Sequence, residues 1–408
     1  MSNGPGRYDV VIVGAGVMGS AAAWHCALDG KRVLLLEQFR LGHKRGSSHG
    51  ESRIFRYVHD RIGEARQMPA THELWRQLER ASGRKILRMT GGLYMSPESD
   101  TWITRSVPVL EALGWPHRVL RGEELRRTYP QFRLAEGWLA LEQPDAGILS
   151  PVEAIPALLS EAVKRDAVVR QDCRVVEVSP LGEGASVRIA SGETIAADCV
   201  VICAGPWTSR FLGSLVDFPV PLAVTRQQVA YFAVDDAGLY APGHCPVYVT
   251  AGKPHFYGFP IHERPGTIKV SLANDSKLGT DPDDPRVVQP DLLAELCNVV
   301  AEHMVGVAAQ PVAVEPCLYT ETSTSTFVVD RHPQFPQLVL AGGFSGRGFK
   351  HAIAIGRLLA DLTQLKADDY SSEFWDEDYR ITRFAESARR SLSAGPQPFT
   401  SSASSQGR

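Results

Sequence analysis

At 408 residues the chain is too long for one small core, and two domains are the natural expectation. Its composition, 44% hydrophobic and 22% charged, is that of an ordinary globular protein, and a formal charge of -3 gives no pull toward nucleic acid or an anionic membrane surface. No apolar run approaches the length of a membrane span.

Residues 1–7 read as a tail that runs straight into a strand, without the basic start and apolar centre of a signal peptide. From Tyr8 the strand DVVIVG leads into Gly14-Ala15-Gly16-Val17-Met18-Gly19, then a helix through Leu28 and a second strand, RVLLLE. This is GxGxxG in register with strand, helix and acid. Gly14 permits the tight turn, Gly16 lets the backbone approach a pyrophosphate, and Gly19 allows close helix–strand packing. The helix N-terminus then offers unpaired N–H groups to phosphate. Glu37, ending the second strand, is placed to accept hydrogen bonds from the ribose of an adenosine. The motif predicts a dinucleotide site and does not by itself separate FAD from NAD.

Further along, a helix is expected near Pro151, with Val152, Ile155, Leu158, Leu159 and Ala162 at helical spacing, followed by strands around Cys173–Val178 and Cys199–Cys203. A second glycine-rich strand–turn–helix comes late, at Ala341-Gly342-Gly343-Phe344-Ser345-Gly346-Arg347-Gly348-Phe349-Lys350, and its helix carries Ile353, Ile355, Leu358, Leu359 and Leu362. A second helix N-terminus at the far end of a long cofactor favours FAD, because the pyrimidine end of reduced flavin becomes anionic. The intervening stretches contain strand candidates such as GGLYM, QQVAYFAV and HFYGF, with few long helices. The expected fold is therefore an α/β Rossmann-like FAD-binding domain of glutathione-reductase type (8–85, 145–215 and 315–385). It is interrupted by a β-sheet-rich α+β substrate domain (86–144 and 216–314), and a Ser/Gly/Pro-rich tail follows at 391–408.

The seven cysteines, Cys26, Cys173, Cys199, Cys203, Cys245, Cys297 and Cys317, are scattered and form no CxxC pair. They predict neither a disulfide framework nor a metal site, and favour a reducing compartment. Gln406-Gly407-Arg408 is not a Ser-Lys-Leu-type address, so the cytoplasm is the expectation.

Four blocks, DVVIVGAGVMGSAAAWHCA, EQFRLGHKRGSSHGESRIFR, EPCLYTETSTSTFVVDRHP and AGGFSGRGFKHAIAIGRLLADL, resemble the monomeric sarcosine oxidase family, which includes N-methyltryptophan and pipecolate oxidases. The resemblance runs from about Tyr8 to about Phe384, and the Gly46–Arg56 block is most similar to pipecolate oxidase. It implies FAD-dependent oxidation of a secondary amino acid to an imine, with O2 as acceptor and H2O2 as product, by a monomer; charge and hydropathy predict no nucleic-acid or membrane partner. It implies 8α-S-cysteinyl attachment of FAD at Cys317, a residue that composition alone would leave as a core cysteine like Cys26, Cys199 and Cys203. Arg56 and Lys350 match the family's carboxylate-binding pair and Lys269 its oxygen-activating lysine; His49 and Arg53 match positions beside the flavin, and Tyr257 and Tyr319 border the substrate pocket. Cofactor contacts are implied for Gln38, Ser47, Val175, Ala204, Gly205, Trp207, Gly343, Phe344, Gly346, Gly348 and Lys350, beside the first glycine motif and Glu37.

Each residue also has a plain reading: a solvated helix-face arginine at Arg56, a charge near a helix start at Lys350, a snorkelling strand lysine at Lys269, packed aromatics at Tyr257 and Tyr319. Two positions depart from the family. Ala273, followed by Asn274, stands where a histidine is common, and Gly-Arg347-Gly replaces Gly-His-Gly. Arg347 is expected to favour a more anionic substrate or to lower the bound amine's pKa further. A dehydrogenase or tailoring oxidase for a larger amine, and a non-catalytic flavin-binding protein, are the competing readings.

Overall fold

The computed structural model describes residues 7–273, 279–364 and 370–385. Residues 1–6, Asn274 and the tail at 391–408 lie outside them.

The first layer is an eight-stranded sheet with a parallel centre. Strand β1 (Tyr8–Val13) lies between β2 (Val33–Leu36) and Thr194–Ile202, and the latter also pairs in parallel with Leu338–Gly342. These strands are almost wholly apolar because both faces are covered. Val10, Ile12, Val33, Leu35 and Val201 face one core, and Val11, Val13, Leu34, Leu36 and Val200 the other, the two-residue period of a strand. The first face is covered by helix α1 (Val17–Leu28), which packs against both Pro151–Val163 and Ala352–Leu362. The α1–Ala352–Leu362 crossing is close: a Cβ at Gly356 would stand 2.5 Å from that of Ala21. Val152, expected on the buried face of its helix, is 51% exposed in the first turn, where it borders the central cavity.

The second layer is an eight-stranded mixed sheet ordered Ala313–Thr322, Leu222–Ala233, Thr267–Leu272, Phe256–Phe259, Val247–Thr250, Gly92–Pro97, Trp138–Gln143 and Arg118–Arg121. Its strand Ala313–Thr322 straddles the 314/315 boundary expected from the sequence and pairs antiparallel with Leu222–Ala233 over ten positions. Two helices of useful length also occur here, Thr101–Ala112 and Pro290–His303, where few were expected. In the second, Leu296, Val299, Val300 and His303 make an i, i+3, i+4, i+7 stripe that buries against the sheet. Ala230, Phe232, Ile268, Val270 and Phe256 fill that same core. The alternate residues of these strands are thereby sent to the opposite face. A small third sheet joins β3 (Arg53–Arg56), Ala146–Leu149 and Leu87–Met89. Among the described residues no helix is long and apolar enough to cross a membrane.

Candidate active site

One cavity of about 1330 Å³ runs between the two large sheets. Its first end is the turn after β1. Gly14 sits at φ 101°, and a Cβ there would lie 2.5 Å from the Cys203 carbonyl oxygen, so glycine is required both by conformation and by space. Gly16 stands at the N-cap of helix α1 and has no side chain to cap it; Val17 N–H donates to Ser48 Oγ at 3.2 Å. Glu37 is buried, with Oε2 accepting from Ala15 N–H at 2.8 Å and Oε1 from Phe39 N–H at 3.0 Å. Burial would raise the Glu37 carboxyl, but His43 and these two N–H groups outweigh it and hold the pKa below the usual value. An anionic Glu37 keeps acceptor capacity toward the cavity.

Every site residue singled out in the sequence lines this cavity except Gly19. A Cβ at Gly19 would fall 1.9 Å from the Gly14 carbonyl oxygen, so its task is packing beneath the turn. Gln38, Ser47, Val175, Ala204, Gly205 and Trp207 border the cavity with the first glycine turn. The Trp207 indole N–H is already given to Asp283 at 2.8 Å. Gly343, Phe344, Gly346, Arg347, Gly348 and Lys350 arrive from the second glycine-rich loop, which leads through Phe349–His351 into the helix Ala352–Leu362. Gly346 sits at φ 68° with the Tyr319 ring 2.4 Å from where a Cβ would be, so the loop lies directly on that ring.

The second sheet supplies the other wall. Two-residue spacing puts Glu315, Cys317 and Tyr319 on one face of their strand, all three bordering the cavity. Lys269 and Tyr257 project the same way from neighbouring strands, and the Tyr257 and Tyr319 hydroxyls are 3.3 Å apart. Burial pushes both phenols up, so both stay neutral. Cys26, Cys199 and Cys203 are buried in the core, as expected, and all seven cysteines are free. Cys173 and Cys203 border the cavity near its first end, and Cys317 borders it from the second sheet; burial raises the Cys317 thiol pKa, with Arg53 and Lys269 pulling the other way.

The cations are arranged unequally. Arg53 is spent on its own segment: its guanidinium donates to the carbonyls of Ser47 (3.0 Å), His49 (2.6 Å) and Ser52 (2.8 Å). His49 faces two carbonyls, Gly46 through Nδ1 at 2.9 Å and Pro316 through Nε2 at 3.3 Å, while burial lowers its pKa. Arg56 lies on a strand, not a solvated helix. Its guanidinium is over the Tyr94 and Trp102 rings, Nη1 is buried without a partner, and it makes no ion pair among the described residues. Lys350 is 5% exposed and its Nζ donates to the Arg347 carbonyl at 3.0 Å. Burial, then Arg56 and Arg347, hold the Lys350 pKa well below the ordinary lysine value. Lys269 is 5% exposed, bonded to Ser52 Oγ and to Glu263 Oε1, each at 3.0 Å.

Several partners were not foreseen from the sequence. Arg347 is ion-paired with Glu64 at 3.2 Å, and Glu64 also takes the His59 Nδ1 hydrogen bond at 3.0 Å. Burial would raise Glu64, but His59 and Arg347 outweigh it and keep it an anion. His59, Glu64 and His351 bring possible metal-ligand atoms within 4.8 Å of one another. With Arg347 on the carboxylate and Lys350 and Arg56 beside the imidazoles, that cluster is set against a further cation. His255 borders the cavity beside Ala273, whose N–H donates to the His255 carbonyl at 2.8 Å, so the wall that lacks one imidazole holds another nearby. Nothing but side-chain type marked Glu64, Glu263 or His255 in the sequence; Glu64 acts across the fold, whereas Glu263 acts on Lys269 only six residues on.

An FAD suits this cavity on three counts. It has a glycine cradle that a Cβ would block, an anionic acceptor at Glu37 at the end of the neighbouring strand β2, and an orphaned buried hydroxyl at Ser47. Residues 9–362 match the family model described as DAO, FAD dependent oxidoreductase. The chain is similar to the peroxisomal sarcosine oxidase of Homo sapiens, 32% identical over 92% of this chain and 96% of that protein. It is similar to the monomeric sarcosine oxidase of Streptomyces avermitilis, 31% identical over 87% of this chain and 93% of that one. Among solved structures it resembles NikD, an unusual amino acid oxidase essential for nikkomycin biosynthesis, at 25% identity and a TM-score of 0.79 over 92% of this chain and 97% of that one. The turn at Gly14, the second glycine loop on Tyr319 and these likenesses agree: the chain belongs to the FAD-dependent oxidoreductase family, among its sarcosine oxidase-like members.

Proposed function

We propose that this enzyme oxidises the CH–NH bond of a secondary amino acid, N-methyl or cyclic, to the imine, with dioxygen as acceptor and hydrogen peroxide as product. The observation that carries the reading is the pair of half-buried Arg56 and buried Lys350, bordering the cavity without a carboxylate of their own among the described residues, in a site that also holds Lys269. FAD bound there supplies the two-electron acceptor. Arg56 and Lys350 would take the substrate carboxylate, each charge-assisted contact contributing about 1.5–3 kcal/mol. An amino-acid amine with a pKa near 10 must lose a proton before oxidation, at a cost of about 4 kcal/mol near neutral pH. Nearby fixed cations lower that pKa and reduce the cost. Lys269 would stabilise negative charge developing on dioxygen.

Because Arg347 is neutralised by Glu64, the substrate we favour carries one carboxylate, a revision of the more anionic substrate expected from Arg347 alone. We also propose that Cys317 bonds covalently to the flavin. The enzyme is taken to act as a monomer, as the name of the Streptomyces avermitilis relative has it for that protein. Seven free thiols support a reducing compartment such as the cytoplasm for this chain, although the human relative is named as peroxisomal.

The deciding experiment adds a panel of N-methyl and cyclic amino acids anaerobically, follows flavin bleaching, then admits air and assays peroxide. Bleaching without peroxide would make the protein a dehydrogenase; no bleaching by any member would sink the reading. Acid denaturation should leave yellow colour on the polypeptide, and Cys317→Ser should release it. Colour lost from the unaltered chain under the same treatment would remove the covalent proposal alone.

A further inference from the structure

Lys269 reaches the cavity from the strand Thr267–Leu272, but the group that holds it does not. Glu263 lies behind it, on the turn between Phe256–Phe259 and Thr267–Leu272, with its side chain 3% exposed. Both carboxylate oxygens are engaged: Oε1 with Lys269 Nζ at 3.0 Å, Oε2 with the Tyr231 hydroxyl at 2.5 Å. Ser52 Oγ takes a second ammonium hydrogen at 3.0 Å. An ammonium has three N–H donors, so two are fixed and one is left for whatever enters the cavity.

We infer that Glu263 is a positioning residue for the reduction of dioxygen, fixing the Lys269 ammonium against the cavity and keeping it protonated there. The inference rests on the proposed role of Lys269. An isolated buried lysine readily sheds its proton, and a neutral amine cannot offset charge on dioxygen.

The surroundings of Lys269 make Glu263 the decisive neighbour. Burial pushes the Lys269 pKa down, and Arg53, from β3, adds to that. Glu263 is the strongest influence in the opposite direction, with Glu315 on Ala313–Thr322 a weaker one, itself engaged by Arg264 at 2.9 Å. His262 on the same turn has its pKa lowered by burial and brings no fixed charge, and Tyr231 is held as a neutral phenol by burial and Glu263. Glu263 itself would be raised by burial, but Lys269, Ser52 and Tyr231 outweigh that and keep it anionic. Removing its charge leaves Arg53 opposed only by the more distant Glu315. Lys269 then loses its proton at a lower pH, so the variant's deficit must grow as pH rises.

The test uses holoenzyme reduced with dithionite and mixed with dioxygen, the flavin absorbance being followed from about pH 6 to about pH 10. Glu263→Gln should reoxidise at nearly the unaltered rate at the acid end and about tenfold or more slower at the alkaline end, while Lys269→Met is slow throughout. A Glu263→Gln profile as fast and as flat as the unaltered enzyme's, or a faster one, overturns the inference. If Lys269→Met reoxidises at full rate, it is the proposed role of Lys269 that fails. A second readout needs no turnover: the holoenzyme melting temperature should fall in Glu263→Gln and largely recover in Glu263→Gln/Lys269→Met, whereas additive losses would deny the pairing. Should Glu263→Gln fail to fold, Glu263→Asp keeps the charge but withdraws it. It should be slowed at every pH without the alkaline fall, and an unchanged rate would count against positioning.

Discussion

Replacing Arg56 with methionine should separate binding from stability, because the residue helps one and burdens the other. Its Nη1 is buried with no partner, a state that costs about 1–3 kcal/mol for a polar group. Against this stand the contacts of the guanidinium over Tyr94 and Trp102, at 5.8 and 5.2 Å from the ring centroids, together about 0.5–1 kcal/mol. Methionine fills similar length without a charge, so the ligand-free protein should gain about 1 kcal/mol and, for a chain of this length, melt about 1 °C higher. The same change removes one of two groups proposed for the substrate carboxylate, about 1.5–3 kcal/mol, or roughly 10- to 150-fold in kcat/KM. Calorimetry of the ligand-free protein and initial rates on a substrate found by anaerobic bleaching measure the two effects. A melting temperature several degrees lower, with kcat/KM unchanged, would refute the reasoning: Arg56 would then be a structural cation.

Lys350 predicts a pH dependence. Its pKa is held well below the ordinary value by burial, then by Arg56 and Arg347. Between that lowered value and the unfolded one, the unfolded chain binds the extra proton, so the Lys350 contribution makes stability rise with pH across this window. A bound carboxylate favours the protonated form. Acetate affinity, followed by flavin absorbance, should therefore fall as pH rises through the lowered pKa, with proton uptake on binding above it; Lys350→Met should bind weakly and show no such slope. Glu64→Gln should free the Arg347 charge and raise the kcat/KM of an N-methyl dicarboxylic amino acid relative to its monocarboxylic counterpart by about tenfold, or 1.4 kcal/mol. An unchanged ratio would mean that Arg347 does not sense the substrate.

The parts of this molecule governed by short-range rules were legible in advance. The turn at Gly14–Gly19 and its strand and helix follow from steric rules acting over a dozen residues; the alternation of Glu315, Cys317 and Tyr319 along one strand is equally local but was not read from the sequence. The second glycine loop could be recognised, though not that it would press on Tyr319. What the chain order concealed was pairing across the fold. Arg347 reads as an added charge until Glu64, on a distant helix, cancels it. Lys269 reads as a strand-surface lysine until the alternating face proves to be a buried wall. Arg53, expected beside the flavin, could not be seen to hold three carbonyls of its own segment, because that depends on how 47–52 folds back.

The cavity draws one wall from each large sheet, with Gly14 and Glu37 at the end of one and Lys269 and Cys317 on the face of the other. A dinucleotide that touches both is therefore a clasp between layers as well as a reagent. By mass action it stabilises only the assembled arrangement. If Cys317 also bonds to it, the clasp becomes permanent, and the bond can form only after the two layers have met. Polypeptide-bound yellow colour would then record that each molecule had once been correctly assembled, a mark that survives later unfolding.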